Sequence, residues 1–310
     1  MLIAVCICTF RRPQGLRQTL HGLGRLEYGD RIPPKLHVIV VDNEGSEEAQ
    51  AVCGDFAHAV AALTYVVEPR RGISHARNAC LDLVPQEARY VAFLDDDLIP
   101  RPAWLEELLG AAEATGAAAA TGPCVAIYDA SAPDWLRAGR FFASPRAKAP
   151  GDHQPIRFGV MGNILFDAAF LRHSGARFNE QFGRIGGEDR RFFLDLFRLG
   201  AMFVWAKNAV VDHCVEQRRL TWTYVVRREF GVGYAATVLQ RSEAAGIIRL
   251  LGYSLCTVGK LALKIALLAP ATLLAALRDD TFRRVKPMLV IVNLSGRLYG
   301  LAGRSYQLYG

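Results

Sequence analysis

Tyr90-Val91-Ala92-Phe93-Leu94-Asp95-Asp96-Asp97-Leu98-Ile99-Pro100 is the stretch whose reading decides the fold. Residues 90–94 are mostly apolar and strand-favouring, and a continuous run of that length reads as a strand covered on both faces. It runs straight into three consecutive carboxylates. After Pro100 the apolar spacing turns helical, at Trp104, Leu105, Leu108 and Leu109. Acids crowded at the end of a buried strand repel one another unless something positive joins them. One Asp is enough to cap a helix, so the run points beyond capping to a hard divalent cation. Mg²⁺ or Mn²⁺ takes carboxylate oxygens and keeps positions open for phosphate.

Upstream, the apolar runs 2–8, 36–41 and 63–67 read as strands, each followed by helical spacing. Pro13 suits the first turn of a helix carrying Leu16, Leu20 and Leu23. Ser46 is placed as an N-cap with Glu47 and Glu48 behind it, and Ser74 as the cap of a helix carrying Ala76, Cys80, Leu81 and Leu83. Strands alternating with helices predict βαβ units, hence an α/β fold with a mostly parallel central sheet flanked by helices. Ligands of such sheets bind beyond the carboxyl ends of the strands. Thr9, Asp42, Arg71 and the run Asp95-Asp96-Asp97 all fall there. No G-x-G-x-x-G or G-x-x-x-x-G-K-[ST] occurs, so phosphates would be held by metal and arginines.

Downstream, residues 117–158 are irregular and proline-rich and read as a long connection or lid. Residues 160–166 return to strand, and 182–187 form a glycine-rich flexible turn. Glu188-Asp189 then opens a helix with Phe192, Phe193, Leu196 and Leu199 that stops at Gly200. Residues 202–211 read as a strand or hairpin leading to Asp212-His213, and 220–241 as a helix. Residues 246–277 are overwhelmingly apolar, yet Arg249, Lys260 and Lys264 share one helical face, within roughly 60° of one another. Pro270 breaks the run, and neither its longest uncharged piece nor the shorter piece 287–294 reaches the ~20 residues of a spanning helix. The expectation is a C-terminal hydrophobic helical region, amphipathic or shallowly inserted, on the cytoplasmic leaflet of the cell membrane, with a re-entrant or spanning hairpin and a buried helical subdomain as the alternatives.

The 310 residues fit one large domain or two modest ones. The chain is 51% hydrophobic with a net charge of +7. Much of that charge sits in adjacent pairs such as Arg11-Arg12, Arg70-Arg71 and Arg190-Arg191, which suit phosphate or an anionic membrane. No basic-aromatic module for nucleic acid is present. The 7 cysteines are scattered singly without C-x-x-C, which reads as reduced thiols. The apolar start, residues 1–8, lacks the basic and long apolar regions of a signal peptide.

Several of these segments, in this order, resemble family-2 glycosyltransferases of the GT-A fold. They are Val40-Val41-Asp42-Asn43, Gly72-Ile73-Ser74-His75-Ala76-Arg77-Asn78, Phe93-Leu94-Asp95-Asp96-Asp97 (an Asp-x-Asp motif), Met161-Gly162-Asn163 and Gly186-Gly187-Glu188-Asp189. Within the family the chain looks most like bacterial transferases that extend lipid-linked exopolysaccharide repeats. The resemblance implies a UDP-sugar donor, a lipid-linked oligosaccharide or polysaccharide acceptor, and inversion at the transferred sugar. Asp42 would take hydrogen bonds from the base, with Thr9 and Arg11 lining that pocket. Arg77 would hold phosphates, Asp95 would meet ribose or metal, and Asp97 would ligate metal. His213 would complete the metal site or be a satisfied structural residue. Asp189, with Glu188 beside it, would be the general base, or the two acids would only complement the helix dipole. Residues 1–98 would form the nucleotide-sugar half, 99–245 the acceptor half and 246–310 the membrane-associated helices. Trp135 could stack on acceptor sugar. The stretch Gln217-Arg218-Arg219-Leu220-Thr221-Trp222 departs from the Gln-x-x-Arg-Trp spacing of processive synthases, which favours single-sugar transfer. Competing readings are a nucleotidyltransferase making NDP-sugars, although its glycine-rich loop is missing after the first strand, and a non-catalytic membrane scaffold.

Overall fold

Tyr90–Leu94, buried along its whole length, forms strand β4 near the middle of an eight-stranded sheet. The structure is a computed structural model, describing residues 1–144, 149–243, 252–260, 262–264, 266–267 and 281–307. β1 (Leu2–Thr9) pairs in parallel with both β2 (Lys35–Asp42) and β4, and β2 with β3 (Ala62–Val67). Between them lie α1 (Pro13–Leu23), α2 (Glu47–Phe56) and α3 (Ile73–Asp82). The sheet continues past β4 through β9 (Asn163–Asp167), β6 (Ala119–Thr121), β10 (Phe203–Trp205) and β8 (Pro155–Ile156). β9 runs antiparallel to β4 and to β6. Short β5 (Leu98–Pro100), β11 (Val211–Cys214) and β7 (Cys124–Ile127) make a separate three-stranded sheet.

Several local expectations are met for the reasons that suggested them. Pro13 opens α1, whose Leu16, Leu20 and Leu23 are buried. Ser46 caps α2 by accepting from the Ala49 amide at 3.4 Å. Ser74 does not cap α3: the helix starts after Gly72, whose φ of 128° suits a glycine, and Ser74 is buried as the second residue of its first turn, donating to Asn179 O at 3.0 Å. The segment 117–158 holds β6, β7, α5 (Asp134–Gly139) and β8, because its short apolar runs find partners far away in sequence. Nor do β10 and β11 form a hairpin, since they belong to different sheets. α4 (Trp104–Thr115) begins beyond Pro100, which closes β5. α6 is Ala168–Ser174, and α7 is Glu188–Arg198.

The chain divides into two compact units. Met1–Ile127, Phe142–Glu180 and Glu188–Val215 form the first; Tyr128–Phe141, Gln181–Gly187 and Glu216–Gly310 form the second. In the second, α8 (Trp222–Glu243) and α9 (Thr281–Leu301, continuous through Pro287) meet backbone to backbone. A Cβ on Gly233 would lie 1.9 Å from Asn293 O, and one on Gly296 2.1 Å from Phe230 O. Only glycine permits so close a crossing. Among the described residues no helix is long and apolar enough to cross a membrane. The expected kink at Pro270 and the position of Arg249 lie outside the described residues.

Asn163, at the start of β9, is the polar hub of the first unit. Its Oδ1 accepts from Trp104 Nε1 at 2.7 Å, and its Nδ2 donates to Ala209 O at 2.8 Å and Pro123 O at 3.1 Å. It thereby ties the large sheet to α4 and to the segments entering β7 and β11. Asn163→Ala would orphan these groups in a fully buried position. Urea unfolding should show a loss of about 2–4 kcal/mol; a loss below ~1 kcal/mol would mean water or local shifts replace the hub.

Candidate active site

β4 ends at Leu94, and the turn Asp95-Asp96-Asp97 is closed by the Leu98 amide donating to Asp95 O at 3.1 Å. The three carboxylates point to different partners. Asp96 is buried and accepts from Thr9 Oγ1 at 2.8 Å and Arg12 Nη1 at 2.9 Å. Arg12 Nη1 also donates to Asp97 at 3.1 Å. Arg12 reaches both because Gly15 lets α1 lie against the turn: a Cβ there would stand 2.5 Å from Asp96 O. Burial pushes Asp96 up to about 7, with Asp97's charge adding to it against Arg12 and Thr9. Burial also acts on Asp97, but hydrogen bonding and charge from His213, together with Arg12, outweigh it and hold Asp97 below the ordinary carboxylate range. Mutual repulsion of the acids therefore does not by itself demand a metal, since Arg12 supplies positive charge from within the chain. Arg12 was legible only as half of a basic pair.

Asp95 faces the other way, with 41% of its side chain exposed, over Gly162, where a Cβ would lie 2.4 Å from Asp95 Oδ2. That close approach is the physical content of Met161-Gly162-Asn163. Asp95 takes Arg77 Nη2 at 3.4 Å, while Arg77 Nη1 donates to Glu188 Oε1 at 2.9 Å. Arg77 is buried, and although burial opposes its charge, Asp95 and Glu188 raise its pKa well above the ordinary value. It bridges β4 to the first turn of α7. Gly186 (φ 83°) and Gly187 (φ 90°) lead the chain into that turn in a conformation few other residues adopt. Glu188 and Asp189 then separate in role. Glu188 is buried, and its Oε2 has no hydrogen-bond partner among the described residues. Burial, then the neighbouring Asp189 charge, pushes it up to about 7 against Arg77. Asp189 is half-buried, with one oxygen accepting from the Arg190 amide at 2.6 Å. Of the two acids paired as catalytic in the sequence reading, Asp189 is the one within reach of solvent; Glu188 is sequestered against Arg77.

The expected base-binding residues lie at the strand ends but are engaged within the chain. Asp42, opposite Thr9 in the β1–β2 register, accepts from the amides of Glu44 and Ser46 at 2.8 Å each and from Tyr65 OH at 2.8 Å. It fixes the β2–α2 loop. Thr9 is spent on Asp96, and exposed Arg11 pairs with Glu44 at 2.6 Å. Asn43, which carried no assigned role, joins this rim to the loop before α3: its Nδ2 donates to Glu68 O at 2.7 Å and Arg70 O at 2.8 Å, and its Oδ1 accepts from the Gly72 amide at 2.8 Å.

His213 reaches the site through strand pairing. In the antiparallel β5–β11 register it sits opposite Leu98, the residue after Asp97, and its Nε2 lies 3.6 Å from Asp97 Oδ2. Its Nδ1 is 3.2 Å from Phe142 O, a carbonyl that can only accept, so Nδ1 carries the proton. Nε2 then meets Asp97 either as the second N–H of an imidazolium or as a lone pair beside a shared cation. This backbone-anchored orientation is how metal-binding histidines are held. Among the described residues, no group of three or more His, Cys, Asp or Glu side chains is placed to hold a metal, so Asp95, Asp97 and His213 do not form a closed ligand set. The Asp97–His213 pair fits a cation whose other ligands come from substrate oxygens and water, as is usual for Mg²⁺.

Comparison with known proteins settles which family built this arrangement. The family model for glycosyl transferase family 2 matches residues 4–173. The chain belongs to that family. It is 36% identical over 248 residues to the succinoglycan biosynthesis protein ExoM of Rhizobium meliloti, covering 79% of this chain and 77% of that one. It is 26% identical over 257 residues to a glucosyl-dolichyl phosphate glucuronosyltransferase of Haloferax volcanii, covering 77% of each. Among solved structures, the mannosyltransferase PcManGT from Pyrobaculum calidifontis in complex with GDP-Man and Mn²⁺ superposes with a TM-score of 0.63 at 16% identity, over 98% of this chain and 88% of that one. S. aureus TarS 1-349 in complex with UDP gives 0.52 at 12% identity, over 99% and 93%. The family-2 chain is thus a glycosyltransferase with a GT-A-like α/β fold.

The raised Glu188 carboxyl makes a signed prediction. Between about pH 4.5 and 7 the folded chain holds a proton there that the unfolded chain has lost, so this group's contribution to stability falls as pH rises. Glu188→Gln removes that slope. Relative to wild type, the variant's stability should climb by on the order of 1–3 kcal/mol from pH 5 to 8. Parallel pH dependences in denaturant unfolding would show that Glu188 titrates normally.

Proposed function

We propose that the chain transfers a sugar from a nucleotide-sugar, of UDP type, to a hydroxyl of a lipid-linked oligosaccharide or polysaccharide acceptor, with a divalent cation and inversion at the sugar. The observation that carries this reading is the Arg77 bridge. It draws Asp95, at the end of β4, and Glu188, next to Asp189, into one site at the carboxyl edge of the sheet, where open α/β sheets take ligands. The comparisons support the donor class: PcManGT holds GDP-Man and Mn²⁺, and TarS holds UDP. ExoM's role in succinoglycan biosynthesis supports a growing polysaccharide as acceptor.

In this reading the acceptor hydroxyl attacks the anomeric carbon from the face opposite the diphosphate. The new C–O bond forms as the bond to the diphosphate breaks, and Asp189 takes the hydroxyl proton. Its neighbour Glu188, tied to Arg77, sets the angle of the first turn of α7. Asp97 and His213 would hold Mg²⁺ or Mn²⁺. Bound there, the cation would supply charge stabilisation for the departing diphosphate. Arg12, beside Asp97, adds fixed positive charge at the same edge.

Asp189→Asn keeps the shape of the side chain but cannot accept a proton. kcat should fall by about 10²-fold or more with the donor KM little changed. A collapse of donor affinity with kcat preserved would place Asp189 in the donor site instead.

Asp97→Ala should abolish metal-stimulated release of nucleoside diphosphate from a panel of NDP-sugars, with the thermal unfolding midpoint nearly unchanged. Undiminished turnover by the wild-type chain in EDTA would remove the cation from the reaction.

A further inference from the structure

We propose that the helical segment within residues 252–267 seats the chain on an anionic lipid bilayer surface. The described residues 252–260, 262–264 and 266–267 are helical. One side of this helix is spoken for. The Tyr253 hydroxyl meets Thr237 Oγ1 at 3.2 Å and accepts from Arg297 Nη1 at 3.1 Å, and Thr257 is buried with its hydroxyl donating to Tyr253 O at 2.8 Å. At 3.6 residues per turn, Leu255 lies roughly 160° from both Tyr253 and Thr257, facing directly away from that support.

The outward side is apolar. Leu255 is 73% exposed, Val258 52%, Leu263 58% and Leu267 61%. Ala262 and Ala266 are exposed between them, as is Cys256. From Ala262 to Leu267 every described residue is exposed, and Lys264 is the one charged residue among them, so the helix runs out beyond its support. An exposed apolar face of this kind marks an interaction site. Lys260 and Lys264, both exposed, lie roughly 40° apart beside the Leu263–Leu267 edge of that face, roughly 140° and 180° around the helix from Leu255. No Asp or Glu occurs between Gly246 and Leu277 to oppose them.

An apolar face bordered by lysines and free of acids fits an interface of acyl chains beneath anionic head groups. A second copy of this chain seated on the Leu263–Leu267 edge would bring the same lysines to the contact and repel. Charge complementarity therefore selects the bilayer. The inference is independent of the transfer reading, because it concerns the second unit and needs neither donor nor base.

The test is co-sedimentation of the full chain with vesicles of phosphatidylcholine alone and of phosphatidylcholine with phosphatidylglycerol. Partitioning should favour the anionic vesicles by about tenfold or more at low ionic strength, and should drop severalfold at about 0.5 M salt. Lys260→Glu with Lys264→Glu should erase the anionic preference. Leu255→Glu with Leu263→Glu should abolish binding to both vesicles while leaving the thermal midpoint and UDP binding unchanged. Three results would overturn the proposal: no binding to anionic vesicles at low salt, equal and salt-insensitive binding to both vesicles, or a salt-stable dimer that the leucine variant dissociates. Since vesicle binding is read without turnover, its failure is distinct from failure of the proposed reaction.

Discussion

A buried guanidinium cannot stand alone, and Arg77 therefore dictates the geometry of the site. Its charge is tolerable only because Asp95 and Glu188 flank it, from positions far apart in the chain. That requirement fixes the start of α3, where Gly72 turns the chain into the helix with a positive φ and Asn43 anchors the preceding loop. It also fixes the first turn of α7, which carries the candidate base. Part-exposed Asp95 thus touches one buried cation, and half-buried Asp189 follows directly on the Glu188 that also pairs with it.

The carboxylate run after β4 shows how one local sequence can hold acids in different states. Asp96 is buried and pushed up to about 7; Asp97, next in the chain, is held low by His213 and Arg12. The difference comes from the turn, which aims one side chain at the β1–α1 connection and the next at β11. A cation at this edge would then share a site whose repulsion the protein has largely relieved, leaving its charge for substrate oxygens. This division of labour suits a glycosyltransferase, in which the diphosphate is the group needing compensation.

The second unit rests on another constraint. Gly233 and Gly296 allow α8 and α9 to touch through their backbones, and tyrosines 299 and 306 close over Phe230 and Tyr234. The helical segment within 252–267 is pinned to this pair through Tyr253, which leaves its apolar side outward.

Hydrophobic patterning alone determined the alternation of β1 to β4 with α1 to α3, because each strand is a continuous apolar run and each helix shows a 3.6-residue period with a local cap or stop. It placed Thr9, Asp42 and the Asp95-Asp96-Asp97 run at the strand ends, and Asp189 in the first turn of a helix. It missed the structure within 117–158, where strands are only two to four residues long and exist through partners such as β9, β10 and β11. It assigned Ser74 to a cap, although tertiary packing buried it. Which acid meets which cation was decided only by the tertiary structure. Arg12 on Asp96, Arg77 on Glu188 and His213 on Asp97 join residues 84, 111 and 116 positions apart, and no local period encodes such distances. Burial, which sets the charge state of each carboxylate, is likewise a property of the assembled sheet and not of the chain.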